Sequence, residues 1–225
     1  LQTDYRDLAR CIDVSCVKTG HTRADIDRMA ETARRCGFVC AFALPGFTSY
    51  LIGKLRGSGT KVGGTIGFPS GGSTAAAKVF EARELVGMGC DELDMVVNVG
   101  RLRSGDDAAV RDEIAAVVAA VQGRPVKAIL EVSLLTDDEI AAASRAAVAA
   151  GAAYIKTGTG WMAQPAAAHA VRLIRETVGD RARIKAAGGI RDLRTLLELR
   201  RAGCDRFGIG TQHAVSILRE AGAPS

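Results

Sequence analysis

Two lysines stand at matched places in the second half of the chain, and their type and setting suit covalent chemistry. Lys156 ends the stretch Ala153-Tyr154-Ile155-Lys156-Thr157-Gly158, and Lys185 lies in Arg183-Ile184-Lys185-Ala186-Ala187-Gly188. Each stretch reads as a short strand running into a glycine turn. On neighbouring parallel strands, with both side chains facing inward, the two ammonium groups would lie close together. Like charge disfavours protonating both, and burial disfavours the charged form, lowering a lysine pKa by up to roughly 3–5 pH units. A lysine that is partly neutral near pH 7 attacks carbonyl carbon. The plain alternative is structural: each lysine pairs with a carboxylate or extends to the rim. For one strand lysine that alternative is the better reading; for a matched pair, function is.

Asp94 supplies a proton partner. In Glu92-Leu93-Asp94-Met95-Val96-Val97-Asn98-Val99, period-two alternation sets Asp94 and Asn98 on the face opposite Leu93, Met95 and Val97. Asp94 in a barrel interior can hold Lys185 charged and move a proton, or can merely neutralise it; spacing leaves both open. Lys127 and Glu131 share a face in the same way and are expected to form a buried ion pair. Two turns, Gly188-Gly189-Ile190-Arg191 and Gly208-Ile209-Gly210-Thr211, complete the set. Backbone N–H groups in such turns bind a phosphate that glycine lets approach closely. A lysine pair beside a phosphate cradle suggests carbon–carbon bond chemistry on a sugar phosphate.

These residues need a scaffold that brings strand ends together. Apolar, β-branched segments recur eight times, at Cys11–Val14, Phe38–Leu44, Lys61–Gly67, Leu93–Val99, Val126–Val132, Ala153–Thr157, Arg183–Ala187 and Arg206–Ile209. Helical stripes lie between them: Ile26, Met29, Ala30 and Ala33; Val79, Ala82 and Val86; Leu193, Leu196 and Leu197. Thr136 with Glu139 reads as a capping box. Gly37, Gly89, Gly123, Gly151, Gly179 and Gly203 fall where left-handed helix caps are wanted. Eight β/α units without a linker predict an α/β fold, one (β/α)8 TIM barrel over residues 1–225. The rival is an open doubly wound sheet, whose glycine-rich first turn is missing at Asp13-Val14-Ser15-Cys16.

Composition narrows the function classes. Hydrophobic residues make 48% of the 225 and charged residues 24%, which fits a folded protein with a large core. The net charge of +5 comes with dispersed arginines and only 4% aromatics, so a basic solvated surface is expected and no nucleic-acid partner. The longest apolar run, Ile114 to Val121, is too short for a membrane span. The N-terminus lacks the pattern of a signal sequence, so a cytoplasmic protein is expected. Six cysteines without C-x-x-C spacing predict reduced thiols and no zinc site. His21, His169 and His213 read as surface residues, with His213 close enough to the second glycine turn for a ligand contact.

Taken in order, several motifs resemble the deoxyribose-phosphate aldolase family from about Arg10 to the last helix. They are Gly67-Phe68-Pro69-Ser70-Gly71, Lys78-Val79-Phe80-Glu81-Ala82, Glu92 to Asn98, Glu131-Val132-Ser133-Leu134-Leu135-Thr136, Tyr154-Ile155-Lys156-Thr157 and Lys185 to Arg191. The resemblance implies a class I aldolase that reversibly cleaves 2-deoxy-D-ribose 5-phosphate to glyceraldehyde 3-phosphate and acetaldehyde. Lys156 would form the Schiff base, Lys185 would perturb it, and Asp94 would help move protons. Asp13, Ser15, Phe42, Thr157, Gly160, Gly188, Gly189, Arg191, Gly208, Gly210 and Thr211 would face substrate or phosphate. No metal or cofactor is implied, because the protonated imine withdraws the electrons. A homodimer or higher homo-oligomer acting on small molecules is also implied.

The chain departs from the family pattern in the shell around the lysines. Strand one carries Asp13-Val14-Ser15, strand two Phe42 and Leu44 in place of a cysteine and a polar or aromatic residue. The loop after Lys156 has Gly158 and Trp161, the last phosphate turn Gly210 and Thr211, and the tail lacks a terminal tyrosine. Three readings follow: an aldolase of deoxyribose phosphate, a related Schiff-base aldolase with another donor or acceptor, and a non-catalytic sugar-phosphate barrel.

Overall fold

Eight parallel strands close on themselves in sequence order: β1 Ile12–Cys16, β2 Cys40–Ala43, β3 Lys61–Ile66, β4 Glu92–Val96, β5 Val126–Ile129, β6 Tyr154–Lys156, β7 Arg183–Ala187 and β8 Arg206–Gly210. The computed structural model describes residues 4–162, 165 and 167–224. Closure comes from β8 pairing with β1, Phe207 against Ile12 and Gly210 against Ser15. This is the (β/α)8 barrel, not the open sheet. Among the described residues no helix is long and apolar enough to cross a membrane.

The strand pleat decides what faces where. Leu93, Met95, Ile155, Ile184, Ala186 and Phe207 are fully buried in the hydrophobic layer beneath the helices. Their alternate neighbours Glu92, Asp94, Lys156, Lys185 and Arg206 turn inward, where they contact one another. The helices present the stripes that the sequence patterns require. Arg23–Cys36 buries Ile26, Met29, Ala30 and Ala33, and ends on Gly37 in the left-handed conformation. Asp137–Ala149 begins with the full Thr136/Glu139 capping box, a motif worth about 1 kcal/mol. Gly179 differs from the other predicted caps: its φ is 57° but its ψ is −134°, so it turns the chain without a left-handed cap.

Two strands end earlier than their apolar runs. β5 stops at Ile129, and Glu131 adopts a φ of 55° to open the short 3-10 turn Val132–Leu134. β4 stops at Val96, and the Asn98 side chain caps the helix Val99–Leu102 by accepting from Arg101 N–H. Apolar sequence continues past both ends because the barrel mouth is itself buried: Val97 and Leu130 are fully enclosed.

Candidate active site

A cavity of about 940 Å³ opens at the C-terminal ends of the strands, the end where barrels of this type carry their chemistry. Lys156 and Lys185 are direct register partners across β6 and β7. Both donate to the same oxygen, Asp94 Oδ2, at 2.9 Å and 2.6 Å. Asp94 is wholly buried, and its Oδ1 accepts from Lys127 Nζ at 3.0 Å. The three residues singled out for chemistry thus meet at one carboxylate.

The cluster continues toward the barrel floor. Lys185 Nζ lies 2.7 Å from Asp13 Oδ2, and Arg206 binds Asp13 at 2.6 Å and Glu92 at 2.9 Å. Lys127 bridges Glu92, at 2.6 Å, and Asp94. Four buried cations therefore face three buried carboxylates and leave one surplus positive charge. Lys61 also reaches Glu92, at 3.2 Å, but its side chain is half-exposed and solvated. A surplus charge in a low-dielectric interior is expensive, and losing one lysine proton removes it. Lys156 is the cation with least compensation, because it touches one carboxylate oxygen and shares that with Lys185. Lys127 and Lys185 each contact two carboxylates.

The electrostatics follow from this geometry. Burial, reinforced by the charges of Lys185 and Lys127 and opposed by Asp94, lowers the Lys156 pKa to about 8. Roughly a tenth of the molecules then carry a neutral Lys156 at pH 7. Burial would raise the Asp94 pKa, but Lys127, Lys156 and Lys185 outweigh it and hold the carboxyl well below the usual range. Glu92 likewise falls to about 2 despite burial, through Lys127 and Arg206. For Lys127 the desolvation penalty is overcome by Asp94 and the other carboxylates, so it stays firmly protonated. One lysine poised to lose its proton, beside Lys127 held charged, is what imine chemistry requires.

The other predicted residues divide. Ser15, Phe42, Gly160, Gly188, Gly189, Arg191, Gly208, Gly210 and Thr211 line the cavity. Asp13 also lines it, yet its carboxylate is engaged by Lys185 and Arg206. Thr157 does not line it: its hydroxyl donates to Ala187 O at 3.4 Å and accepts from Ala187 N at 3.1 Å, tying β6 to β7. The expected Lys127–Glu131 pair is not formed. Beyond the end of β5, Glu131 instead accepts from the hydroxyl and N–H of Thr159. His21 and His213 line the cavity, whereas His169 is exposed and meets Asp137 at 2.8 Å. Among the described residues no three His, Cys, Asp or Glu side chains converge as metal ligands.

Two of the departures in the shell, Phe42 and Gly158, pack against complementary neighbours. The Phe42 ring covers Lys185 Nζ at 4.2 Å and Lys127 Nζ at 4.9 Å from its centroid, a cation–π arrangement. It occupies space that Gly63 vacates, since a Cβ on Gly63 would stand 2.1 Å from Phe42 Cε1. A Cβ on Gly158 would stand 2.6 Å from Glu131 Oε1, so Glu131 fills the place of a side chain there. Trp161 packs edge-on against Phe68, with ring centroids 6.1 Å apart. Sequence reasoning missed Glu92 and Arg206 as members of the charge cluster. It also missed Thr65, a buried cavity residue in register with Asp94 whose hydroxyl has no partner among the described residues.

Comparison with known proteins agrees with this geometry. The DeoC/LacD family aldolase model matches residues 18–210. The chain is 49% identical over 219 residues to the deoxyribose-phosphate aldolase of Sinorhizobium medicae, covering 97% of this chain and 88% of that one. It is 41% identical over 207 residues to the deoxyribose-phosphate aldolase of Streptococcus uberis, covering 92% and 93%. Among solved structures, the tetrameric deoxyribose phosphate aldolase from Aeropyrum pernix superposes with a TM-score of 0.89 at 29% identity, covering 96% and 92%. On the barrel, the paired lysines and these relatives together, the chain belongs to the DeoC/LacD family of aldolases and is an enzyme of the Schiff-base type.

Proposed function

We propose that the protein is a 2-deoxy-D-ribose 5-phosphate aldolase with Lys156 as its imine-forming residue. The observation that carries this reading is the sharing of one Asp94 oxygen by register-paired Lys156 and Lys185, which leaves Lys156 as the surplus cation. Neutral Lys156 attacks the C1 aldehyde, and the carbinolamine loses water to give a protonated imine. A base removes the C3 hydroxyl proton, the C2–C3 bond breaks, and its electron pair passes through C2 to the imine nitrogen. Glyceraldehyde 3-phosphate departs, leaving a neutral enamine. Protonation at C2 and hydrolysis release acetaldehyde and restore the amine. Lys185 and Asp94 are placed to relay the protons of these steps. The glycine turn after β7 would take the phosphate through backbone N–H groups, with the start of the helix Thr211–Glu220; Gly208 and Gly210, expected in a second turn, lie in β8, which runs straight into that helix.

A second reading has its own observation. Phe42 and Phe68, the latter backed by Trp161, give the cavity an apolar wall, which suits a Schiff-base aldolase with another donor or acceptor. Steady-state cleavage of 2-deoxy-D-ribose 5-phosphate separates the two. Turnover that disappears in Lys156→Ala supports the first; negligible turnover by a protein that still forms an imine with acetaldehyde supports the second. The six cysteines are free thiols, which supports a cytoplasmic setting. A homo-oligomer is the assembly we propose, on the likeness to the tetrameric Aeropyrum pernix protein.

A further inference from the structure

Lys18 stands outside the lysine–aspartate cluster, in the loop after β1, and lines the same cavity. Its ammonium donates to Gly160 O, in the loop after β6, at 2.8 Å. The barrel order is β6, β7, β8, β1, so a side chain rooted after β1 that touches the loop after β6 spans the mouth on the side of β7 and β8. Gly160 itself lies against the glycine turn after β7: a Cβ there would stand 3.8 Å from Gly188 Cα. The ammonium therefore ends beside that turn.

Both ends of this span are fixed. The Trp161 ring lies 4.8 Å from Lys18 Nζ, and its indole N–H donates to Val17 O at 3.0 Å. The Lys18 backbone N–H donates to His21 Nδ1 at 3.1 Å. The ammonium has three donors and spends one on a neutral carbonyl, and no carboxylate pairs with it among the described residues. Of the other cavity cations, Lys156 and Lys185 are bound to Asp94 and Arg28 to Asp25, while Arg191 and Arg219 also line the cavity and have no ion pair among the described residues. Backbone N–H groups carry only partial charge, whereas a phosphate monoester is close to a dianion and pairs best with a full cation.

We propose that Lys18 is a cation that receives the substrate phosphate, closing the anion site beside the glycine turn after β7 and selecting phosphorylated over unphosphorylated sugars. The assignment rests on the phosphorylated-substrate reading above. Phosphate takes over the donor now given to Gly160 O, while the Trp161 ring stays against the ammonium.

The test compares wild type, Lys18→Met, Lys18→Arg and Arg191→Met by kcat/KM on 2-deoxy-D-ribose 5-phosphate and on 2-deoxy-D-ribose. Inhibition by inorganic phosphate is measured in parallel. Lys18→Met is expected to lower the ratio of the two constants by about 10- to 100-fold, mainly through KM, and to weaken phosphate inhibition similarly. Lys18→Arg retains most of the ratio. An unchanged ratio in Lys18→Met, a loss confined to Arg191→Met, or an equal loss on both sugars overturns the role of Lys18 and leaves the substrate reading standing. A wild-type protein that forms the imine but does not prefer the phosphorylated sugar overturns the substrate reading, and this assignment with it.

Discussion

Replacing Lys185 by methionine tests the charge balance proposed to make Lys156 nucleophilic. The substitution keeps much of the apolar stem and removes one cation, so three cations then face Asp13, Glu92 and Asp94 and no surplus remains. Two changes act on Lys156 in the same direction. It loses a repelling neighbour, and it gains sole use of Asp94 Oδ2, now shared at 2.9 Å and 2.6 Å. Those contacts place the two nitrogens about 4–5 Å apart, where like charges repel by roughly 3–4 kcal/mol at an effective dielectric of about 20. Allowing for relaxation, about two pH units of that act on Lys156, and the neutral fraction at pH 7 falls about 100-fold. The assay is the rate of borohydride trapping with acetaldehyde across pH 6–10, followed by intact mass. Lys185 is also the proposed proton carrier, so a loss of turnover alone would not be diagnostic; the position of the pH profile is. In wild type the rate should rise through about pH 8, and in Lys185→Met the rise should move about two pH units upward. A profile that stays in place or moves downward refutes the reasoning.

Asp94→Asn has the opposite sign: without the carboxylate that raises its pKa, Lys156 should titrate lower, and the trapping profile should shift to lower pH. Turnover should fall by about 100-fold or more, and urea denaturation should show a loss of about 3–5 kcal/mol, because three lysines lose a buried partner. Lys156→Met should raise stability at pH 7 by about 1–3 kcal/mol, read as a higher Tm, since it removes the surplus charge while Asp94 keeps two lysines. The corresponding pH signature is linkage. The folded pKa of Lys156 lies near 8, below the ordinary lysine value of 10.5, so the unfolded chain binds more protons between these values. The Lys156 contribution to stability should therefore rise with pH from about 8 to 10.5 and be absent in Lys156→Met. Gly63→Ala should cost about 1–3 kcal/mol by overpacking against Phe42, and adding Phe42→Cys should recover most of it; additive losses in that double-mutant cycle would contradict the coupling.

The sequence carried the outline of the site because the barrel obeys period two. Lys156, Lys185 and Asp94 each alternate with apolar neighbours, and parallel register converts equal positions on adjacent strands into contact. The same rule, applied to Thr157, would have turned it away from the Lys156 face, and its hydroxyl does link β6 to β7 instead of lining the cavity. The Lys127–Glu131 expectation failed because periodicity says nothing about where a buried run stops being a strand. Glu131, at φ 55°, is already in the loop and binds Thr159. Glu92 and Arg206 lie 114 residues apart and meet across the barrel interior. Such meetings depend on strand stagger and side-chain reach, which no local pattern encodes. The fits of Phe42 against Gly63 and of Glu131 against Gly158 have the same character. Phe42 and Gly158 look like isolated departures until the space a glycine leaves is seen filled by the neighbouring side chain.

The most direct test of the central claim is borohydride reduction of the protein with 2-deoxy-D-ribose 5-phosphate, followed by peptide mass mapping. The account predicts a single reduced adduct on Lys156, absent in Lys156→Ala. No adduct, or one carried by Lys185 or Lys127, would contradict it.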